Sequence, residues 1–143
     1  MDPEAVLAWA KETYGTEPDR PWRKYPEYLV LRHAESRKWY GLIMHLGRTV
    51  LSPGKTGDVW VLNVRCRPGT GALWRSRGGI YPGYHMNHDS WLSVCLDDTV
   101  EDEIVTELLR ESYELTKPRL RRKVEETPAE TPVSRKRPYK EDF

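Results

Sequence analysis

The segment from Tyr84 to Asp89 holds the densest group of side chains that could do chemistry. His85 and His88 stand three positions apart, a spacing that suits two metal ligands on one face of a helix. Gly83 before this segment and Trp91 after it predict instead a loop that enters a strand. A third ligand would have to come from a cysteine or an acid elsewhere: Cys66, Cys95 or Asp89. Because no close cysteine–histidine pair is present, we expect no metal site and no cofactor.

The two cysteines, Cys66 and Cys95, are too few for a disulfide framework and lie in apolar, strand-like surroundings. A thiol nucleophile needs a lowered pKa and a nearby base, so His85 could activate one only if the fold brought them together. Strand settings favour burial in the core instead. The segment 69–71, Gly-Thr-Gly, lacks the lysine and the later glycine of a phosphate-binding loop. The residues therefore predict no catalytic site.

A second interpretation of the same segment is a pocket for a small molecule or a peptide, as in a binding domain or a minor enzyme. Aromatic walls with a few converging polar groups are typical of ligand pockets. The residues that would form it are Tyr84, His85, Asn87 and Trp91. A purely structural role, in which the cluster holds the loop in front of the strand, is the remaining alternative.

The net charge of +1 conceals two regions of opposite sign. Residues 20–77 contain twelve Lys or Arg against three acids, a balance of +9. Residues 89–114 contain nine acids and one arginine, a balance of −8. The basic region would offer a polyanion one exterior patch if the acidic region leaves it uncovered. The alternative is that the two regions pair with each other across the fold.

Nucleic acid is the partner that the basic region favours, and DNA binding without catalysis is our leading hypothesis. A guanidinium matches a phosphate in bidentate fashion, and an aromatic ring such as Trp74 can stack on a base. Core packing of Trp74 and solvated arginines are the structural alternative. The predicted contacts are basic loop residues with neighbouring hydrogen-bonding side chains: Arg37, Lys38, Arg48, Lys55, Arg65, Arg67, Arg75, Arg77, His85, Asn87 and His88.

These side chains must be positioned by a mixture of helices and strands. Asp2 can cap a first helix that begins with Pro3 and stops at Gly15. Apolar, β-rich or alternating runs predict strands over residues 28–33, 38–46, 59–66 and 91–96, with residues 38–46 in a central strand. Their closeness in sequence favours antiparallel pairing. Residues 34–37 would connect a hairpin, and residues 47–58 would form an exposed loop.

The last helix has the strongest pattern in the chain. Residues 100–116 carry an apolar stripe at helical spacing, which consists of Val100, Ile104, Val105, Leu108, Leu109 and Leu115. Thr99 with Asp102 fits a capping box, and Pro118 ends the helix. Between the strands, residues 72–77 could form one or two helical turns, and residues 80–83 predict a turn.

The composition predicts one α+β domain over residues 1–117 and a disordered basic tail over residues 118–143. The basic run 135–137 in that tail either adds electrostatic affinity for phosphates or keeps the chain soluble. We find no apolar run long enough to span a membrane and no secretory signal. We therefore expect a cytoplasmic monomer.

Several segments, taken in order along residues 3 to 117, resemble the MmcQ/YjbR family. They are Tyr25–Tyr28, Arg37–Met44, Leu62–Cys66, Gly83–His88, Trp91, Leu96–Asp98, Leu108–Leu109 and Ser112–Thr116. The resemblance implies a two-layer α/β domain with an antiparallel sheet faced by N- and C-terminal helices, in cytoplasmic bacterial proteins that bind DNA through a double-wing arrangement. The chain departs from the family pattern at His88, often a lysine, and at Arg67, often an acid. The arginine favours anion binding, and the histidine makes charge at position 88 depend on pH.

Overall fold

Three α-helices and five strands make up residues 1–118, the part of the chain that this computed structural model describes. The helices are α1 (Pro3–Tyr14), α2 (Gly71–Arg75) and α3 (Asp102–Leu115). The strands are β1 (Leu29–Arg32), β2 (Trp39–Gly47), β3 (Asp58–Arg65), β4 (Ile80–Pro82) and β5 (Trp91–Cys95). A 3-10 turn, Arg48–Val50, follows β2. Apart from Pro118, the predicted tail over residues 118–143 lies outside the described residues.

The strands form one antiparallel sheet in the order β1-β2-β3-β5-β4, which confirms the antiparallel pairing and the interior position of β2. The register shifts at one point, because Leu31 pairs with Gly41 while Arg32 pairs with Trp39. Tyr40 is therefore the extra residue of a β-bulge. This bulge turns Tyr40 toward the helices and leaves Trp39 on the other face of the sheet.

The first face of the sheet, here called the helix face, packs against α1 and α3. Its buried core includes Ile43, Leu62, Val94 and Leu96 from the sheet region, with Val6, Ala10, Val105, Leu108 and Leu109 from the helices. Asp2 caps α1 by accepting from the Ala5 N–H at 2.9 Å. The expected two-layer α+β arrangement, with N- and C-terminal helices against one antiparallel sheet, is confirmed.

The second face, here called the loop face, is covered by side chains from loops. Its buried residues are Tyr28, Val30, Leu42, Met44, Leu46, Val59, Val61 and Cys95. Trp22, Leu51 and Tyr84 pack over them. Both cysteines are buried, as predicted, and each lies on a different face: Cys66 in the helix-face core and Cys95 on the loop face.

Two local predictions were wrong. The capping box of Thr99 and Asp102 does not form, because the Thr99 N–H donates to the Asp97 carboxylate and α3 begins two residues later than predicted, after Glu101. Residues 80–82 form strand β4 rather than a turn. Burial of Ile80 in the core draws this segment onto β5, and Pro82 is tolerated in a short edge strand.

The helices of residues 1–118 are too short or too polar for a membrane span.

Candidate nucleic-acid interface

The antiparallel register divides the predicted cations between two ends of the sheet. One end, here called the Arg65 end, carries the β1–β2 turn, the end of β3 and the β4–β5 loop. The other, here called the Arg48 end, carries the β2–β3 loop and the start of β4. An eight-residue strand such as β3 keeps the two ends about 25 Å apart. The charges from residues 20–77 therefore do not gather on a single patch.

Five of the eight predicted cations lie at the Arg65 end: Arg37, Lys38, Arg65, Arg67 and Arg75. Arg75 belongs here because its guanidinium folds back over Gly71, the first residue of α2, which follows the end of β3 closely in the chain. The three hydrogen-bonding candidates in the β4–β5 loop lie at the same end: His85, Asn87 and His88. The remaining three cations lie at the Arg48 end: Arg48, Lys55 and Arg77.

Two arginine–tryptophan pairs stand side by side on the loop face at the Arg65 end. Arg65 of β3 pairs with Trp91 of β5, and its guanidinium carbon lies 5.9 Å from the indole centroid. Arg32 of β1 pairs with Trp39 of β2 in the same way, at 5.8 Å. Four adjacent strands thus carry Arg, Trp, Arg and Trp in order. Stacking on an indole favours a fixed position for a guanidinium whose donors can then meet an anion.

Arg32 is a member of this row that the sequence-based prediction missed. It donates to the Asp19 carboxylate at 2.9 Å and to the Arg37 carbonyl at 3.1 Å, so it also fixes the β1–β2 turn. The signal that could have found it is the hairpin itself, because pairing across the predicted connection brings Arg32 opposite Trp39.

Buried polar groups on the loop face hold the β4–β5 loop in place. The Asn63 amide donates to the Tyr84 carbonyl at 3.1 Å, and the Tyr84 N–H donates to the Ser93 hydroxyl at 2.9 Å. That hydroxyl donates in turn to the Asn63 side-chain oxygen. Both side chains are completely buried. This triangle fixes the backbone just before His85, so the loop is anchored at Tyr84. The three predicted contact residues come after this anchor.

His85, Asn87 and His88 are exposed on this loop. The Asn87 side-chain oxygen accepts from the Asp89 N–H at 2.8 Å, which shapes the turn and occupies the acceptor side of the amide. Partial burial lowers the pKa of His85, whose ring lies 4.0 Å from that of Tyr84. These three side chains can offer hydrogen bonds outward from a loop whose base is fixed.

The backbone is in the left-handed region at two of the candidate residues. Arg37 has φ 66° and His85 has φ 65°, and the third such non-glycine position among the described residues is Asp98. This conformation costs an ordinary residue roughly 1–2 kcal/mol. Arginine and histidine therefore occupy positions whose backbone conformation glycine would adopt at lower cost.

Ion pairs neutralise some of the predicted cations at both ends. Arg48 lies 3.1 Å from Asp97, Arg67 lies 3.5 Å from Glu111 of α3, and Arg37 lies 3.7 Å from Asp19. The acidic helix thus reaches the Arg65 end through Glu111. The two charge blocks therefore pair in part, because two carboxylates of the acidic region, Asp97 and Glu111, pair with the basic region, while Lys38 remains exposed in the β1–β2 turn.

The four residues predicted to line a ligand pocket differ in accessibility. Trp91 is 7% exposed and lies beneath Arg65, whereas His85 and Asn87 are exposed. A shallow cleft in the described part of the chain lies elsewhere, at the Arg48 end, between Arg77–Gly78 and Thr99–Glu101. The predicted pocket residues do not contribute to that cleft.

The chemistry considered for the cysteines and histidines has little support in the geometry. Burial raises the pKa of the Cys66 thiol and raises that of Cys95 to about 11. Both thiols are therefore protonated near neutral pH and are weak nucleophiles. Within residues 1–118, no three side chains from His, Cys, Asp and Glu come together in a way that could hold a metal ion.

Comparison with known proteins places this fold among homologous chains. The Bacillus subtilis (strain 168) protein "Uncharacterized protein YyaQ" is 40% identical over 114 residues, which cover 80% of this chain and 97% of that protein. A crystal structure of a Pseudomonas syringae protein is 32% identical with a TM-score of 0.79, covering 82% of this chain and all of that one. The Deinococcus radiodurans protein DR2400 is 27% identical with a TM-score of 0.61, covering 80% and 77%. The YjbR family model matches residues 11–115. This chain belongs to the YjbR family, also called MmcQ/YjbR.

Proposed function

We propose that this protein binds DNA without catalysis and contacts the phosphate backbone through the Arg65 end of its sheet. The observation that carries the proposal is the grouping of five cations with His85, Asn87 and His88 at one end of a rigid sheet. Cations provide most of the affinity of such an interface, and neutral donors orient the protein on the backbone.

The dimensions of the Arg65 end suit a DNA strand. From the outer side of β1 to β4 there are four strand-to-strand spacings of almost 5 Å each, so the end is about 20 Å wide. Phosphates along one strand of B-DNA rise about 3.4 Å per nucleotide along the helix axis. The Arg65 end could therefore contact on the order of five phosphates.

Backbone strain at Arg37 and His85 supports the same surface. Residues kept in costly conformations cluster at functional sites, where the projection of a particular side chain is needed. Both lie in turns at the Arg65 end, whereas the third such residue among those described, Asp98, lies at the Arg48 end. The ligand-pocket alternative has less support, since Trp91 offers little exposed surface.

A salt titration against a duplex of mixed sequence tests the proposal. Four or five phosphate contacts predict that the logarithm of the association constant falls with the logarithm of salt concentration with a slope of about −4. The affinity should vary little between duplex sequences, because backbone contacts carry no sequence information. Absence of binding at low salt, or binding that salt does not weaken, would overturn the proposal.

A matched pair of charge reversals then locates the interface. Lys38 and Lys55 are both exposed lysines in turns, and they lie at opposite ends of the sheet. We expect Lys38→Glu to weaken binding about tenfold or more at low salt and to make the salt slope shallower by about one. We expect Lys55→Glu to change the affinity about twofold or less. Equal losses in the two variants would show that net charge, rather than the Arg65 end, governs binding.

A further inference from the structure

Helix α2 presents a large apolar side chain to solvent. Leu73 is 74% exposed, compared with 47% for Val50 and 43% for Tyr25, the other exposed large apolar residues of the described part. A single exposed leucine is ordinary on a protein surface. Its immediate surroundings make this one unusual, because they fix its position within a stretch of the chain whose charged residues are all basic.

Leu73 stands on a rigid support. Its neighbour Trp74 packs against the helix-face core, and the Arg77 guanidinium lies 5.6 Å from the Trp74 ring centroid. The Ser76 hydroxyl donates to the Leu73 carbonyl at 2.7 Å, and the Thr70 hydroxyl donates to the Arg67 carbonyl at 2.8 Å. Trp74 thus anchors the short helix to the core, while Leu73 remains on its exposed side.

The charged residues nearest to Leu73 in the sequence are all basic. Residues 59–88 contain no acid, and the three cations nearest to Leu73 in sequence are Arg67, Arg75 and Arg77. Arg67 and Arg75 belong to the Arg65 end, so the segment that carries Leu73 continues from the proposed phosphate contacts. An apolar side chain among cations is complementary to DNA, which has apolar base stacks between rows of phosphates.

We propose that Leu73 is a wedge that inserts between base pairs from the minor groove of bound DNA and bends the duplex. This inference rests on the proposed DNA binding. Apolar side chains such as leucine act in this way in minor-groove proteins and kink the duplex by 20–90°. Arg67 and Arg75 would contact phosphates beside the groove, Arg67 in exchange for its ion pair with Glu111, and the bend would bring further backbone toward the Arg65 end.

Energy transfer between dyes at the two ends of a duplex of about 30 base pairs measures the bend directly. With saturating protein, we expect a clear rise in transfer for the wild type and for Leu73→Met, which keeps a large apolar side chain. We expect Leu73→Ala to lose most of that rise while its affinity falls about tenfold or less. Val50→Ala, an exposed apolar residue at the Arg48 end, is the matched control and should bend DNA like the wild type.

The outcomes separate this inference from the proposed function. Duplex binding without any bend, or an equal bend with Leu73→Ala, would overturn the wedge and leave DNA binding intact. No duplex binding by the wild type would overturn both. Sedimentation of the free protein tests whether Leu73 instead lies in a contact between copies of the chain. If Leu73→Ala dissociates an assembly and leaves the bend unchanged, Leu73 belongs to such a contact and the wedge is overturned. Circular dichroism confirms that the variants are folded.

Discussion

The two ends of the sheet carry similar residues but differ in what those residues contact. At the Arg48 end, Arg48 pairs with Asp97, and the amino group of Met1 pairs with Asp98 and Asp102. Burial opposes ionisation of Asp97, but hydrogen bonds from Thr99 and Arg48 hold the pKa of its carboxyl below the usual value. Charges at this end thus stabilise the junction that leads into α3.

At the Arg65 end, two guanidiniums lie on indoles of neighbouring strands, and a buried triangle fixes the loop. Two residues there have a costly backbone conformation, whereas the Arg48 end has one such residue, Asp98, and one guanidinium on an indole, Arg77 on Trp74. These features hold side chains in fixed positions at the surface. The comparison teaches that a count of basic residues along the chain does not locate an interface. The contacts of each cation follow from the strand register, and they decide which cations remain available at the surface.

The largest effect is expected when the buried triangle beneath the Arg65 end is broken. Ser93→Ala leaves the Tyr84 N–H and the Asn63 oxygen without this partner, which should lower the free energy of unfolding by about 2–3 kcal/mol. Urea denaturation measures the loss. Hydrogen exchange should quicken in the loop over residues 84–90 and stay unchanged in the loop over residues 48–57.

Ser76→Ala is the matched control, because this exposed hydroxyl makes a single hydrogen bond to a carbonyl. It should cost about 1 kcal/mol or less. Equal losses for the two serine variants, or faster exchange at both ends of the sheet, would show that the triangle does not hold the Arg65 end specifically.

A smaller effect is expected from protonation of His33, which lies beneath the β1–β2 turn. Burial lowers the pKa of His33, and its Nε2 lies 2.8 Å from the Thr116 hydroxyl. Since that hydroxyl already donates to the Ser112 carbonyl, Nε2 is the donor to it. Because burial lowers its pKa, the His33 imidazole binds a proton more tightly in the unfolded chain than in the folded protein. The contribution of neutral His33 to the stability of the folded state is complete above pH 6.5, the ordinary pKa of histidine. It is lost as the pH falls from there through the lower pKa of His33 in the folded protein.

Thermal unfolding between pH 7.5 and pH 5 measures this dependence. His33→Gln keeps a hydrogen-bond donor but cannot titrate, so it should remove the part of the slope that comes from His33. Hydrogen exchange should show the acid-induced loosening in the β1–β2 turn before it appears at the Arg48 end. An unchanged slope in His33→Gln would contradict the assignment.

The smallest change in stability is expected at Arg37. Arg37→Gly relieves the left-handed strain, and the greater freedom of glycine in the unfolded chain offsets part of the gain. The net stabilisation should be a few tenths of a kcal/mol, while DNA affinity should fall several-fold because one phosphate contact is removed. Arg37→Lys keeps the charge and should bind like the wild type. A stable Arg37→Gly variant with full affinity would remove Arg37 from the interface.

Local sequence signals predicted most of the secondary structure. The Asp2 cap, the stop at Gly15 and the apolar stripe of α3 each depend on neighbours a few residues away, and all three appear in the structure. The two errors arose where tertiary contacts outweighed local preference. Residues 80–83 resemble a turn in isolation, but Ile80 gains more by burial against β5 than the turn would provide. Thr99 caps no helix because α3 begins after Glu101, while Asp97 holds the Thr99 N–H in the preceding turn.

The sequence by itself determined the α+β class, the antiparallel pairing and the candidate residues, because composition, periodicity and short-range spacing are properties of neighbouring positions. Tertiary structure alone decided which candidates meet. It separated Arg48, Lys55 and Arg77 from the cations of the Arg65 end. It also brought Arg32 to the Arg65 end and placed Trp91 beneath Arg65. The reason is that register and bulges couple residues that are distant in the chain, and a one-residue shift such as the bulge at Tyr40 changes which face a side chain occupies.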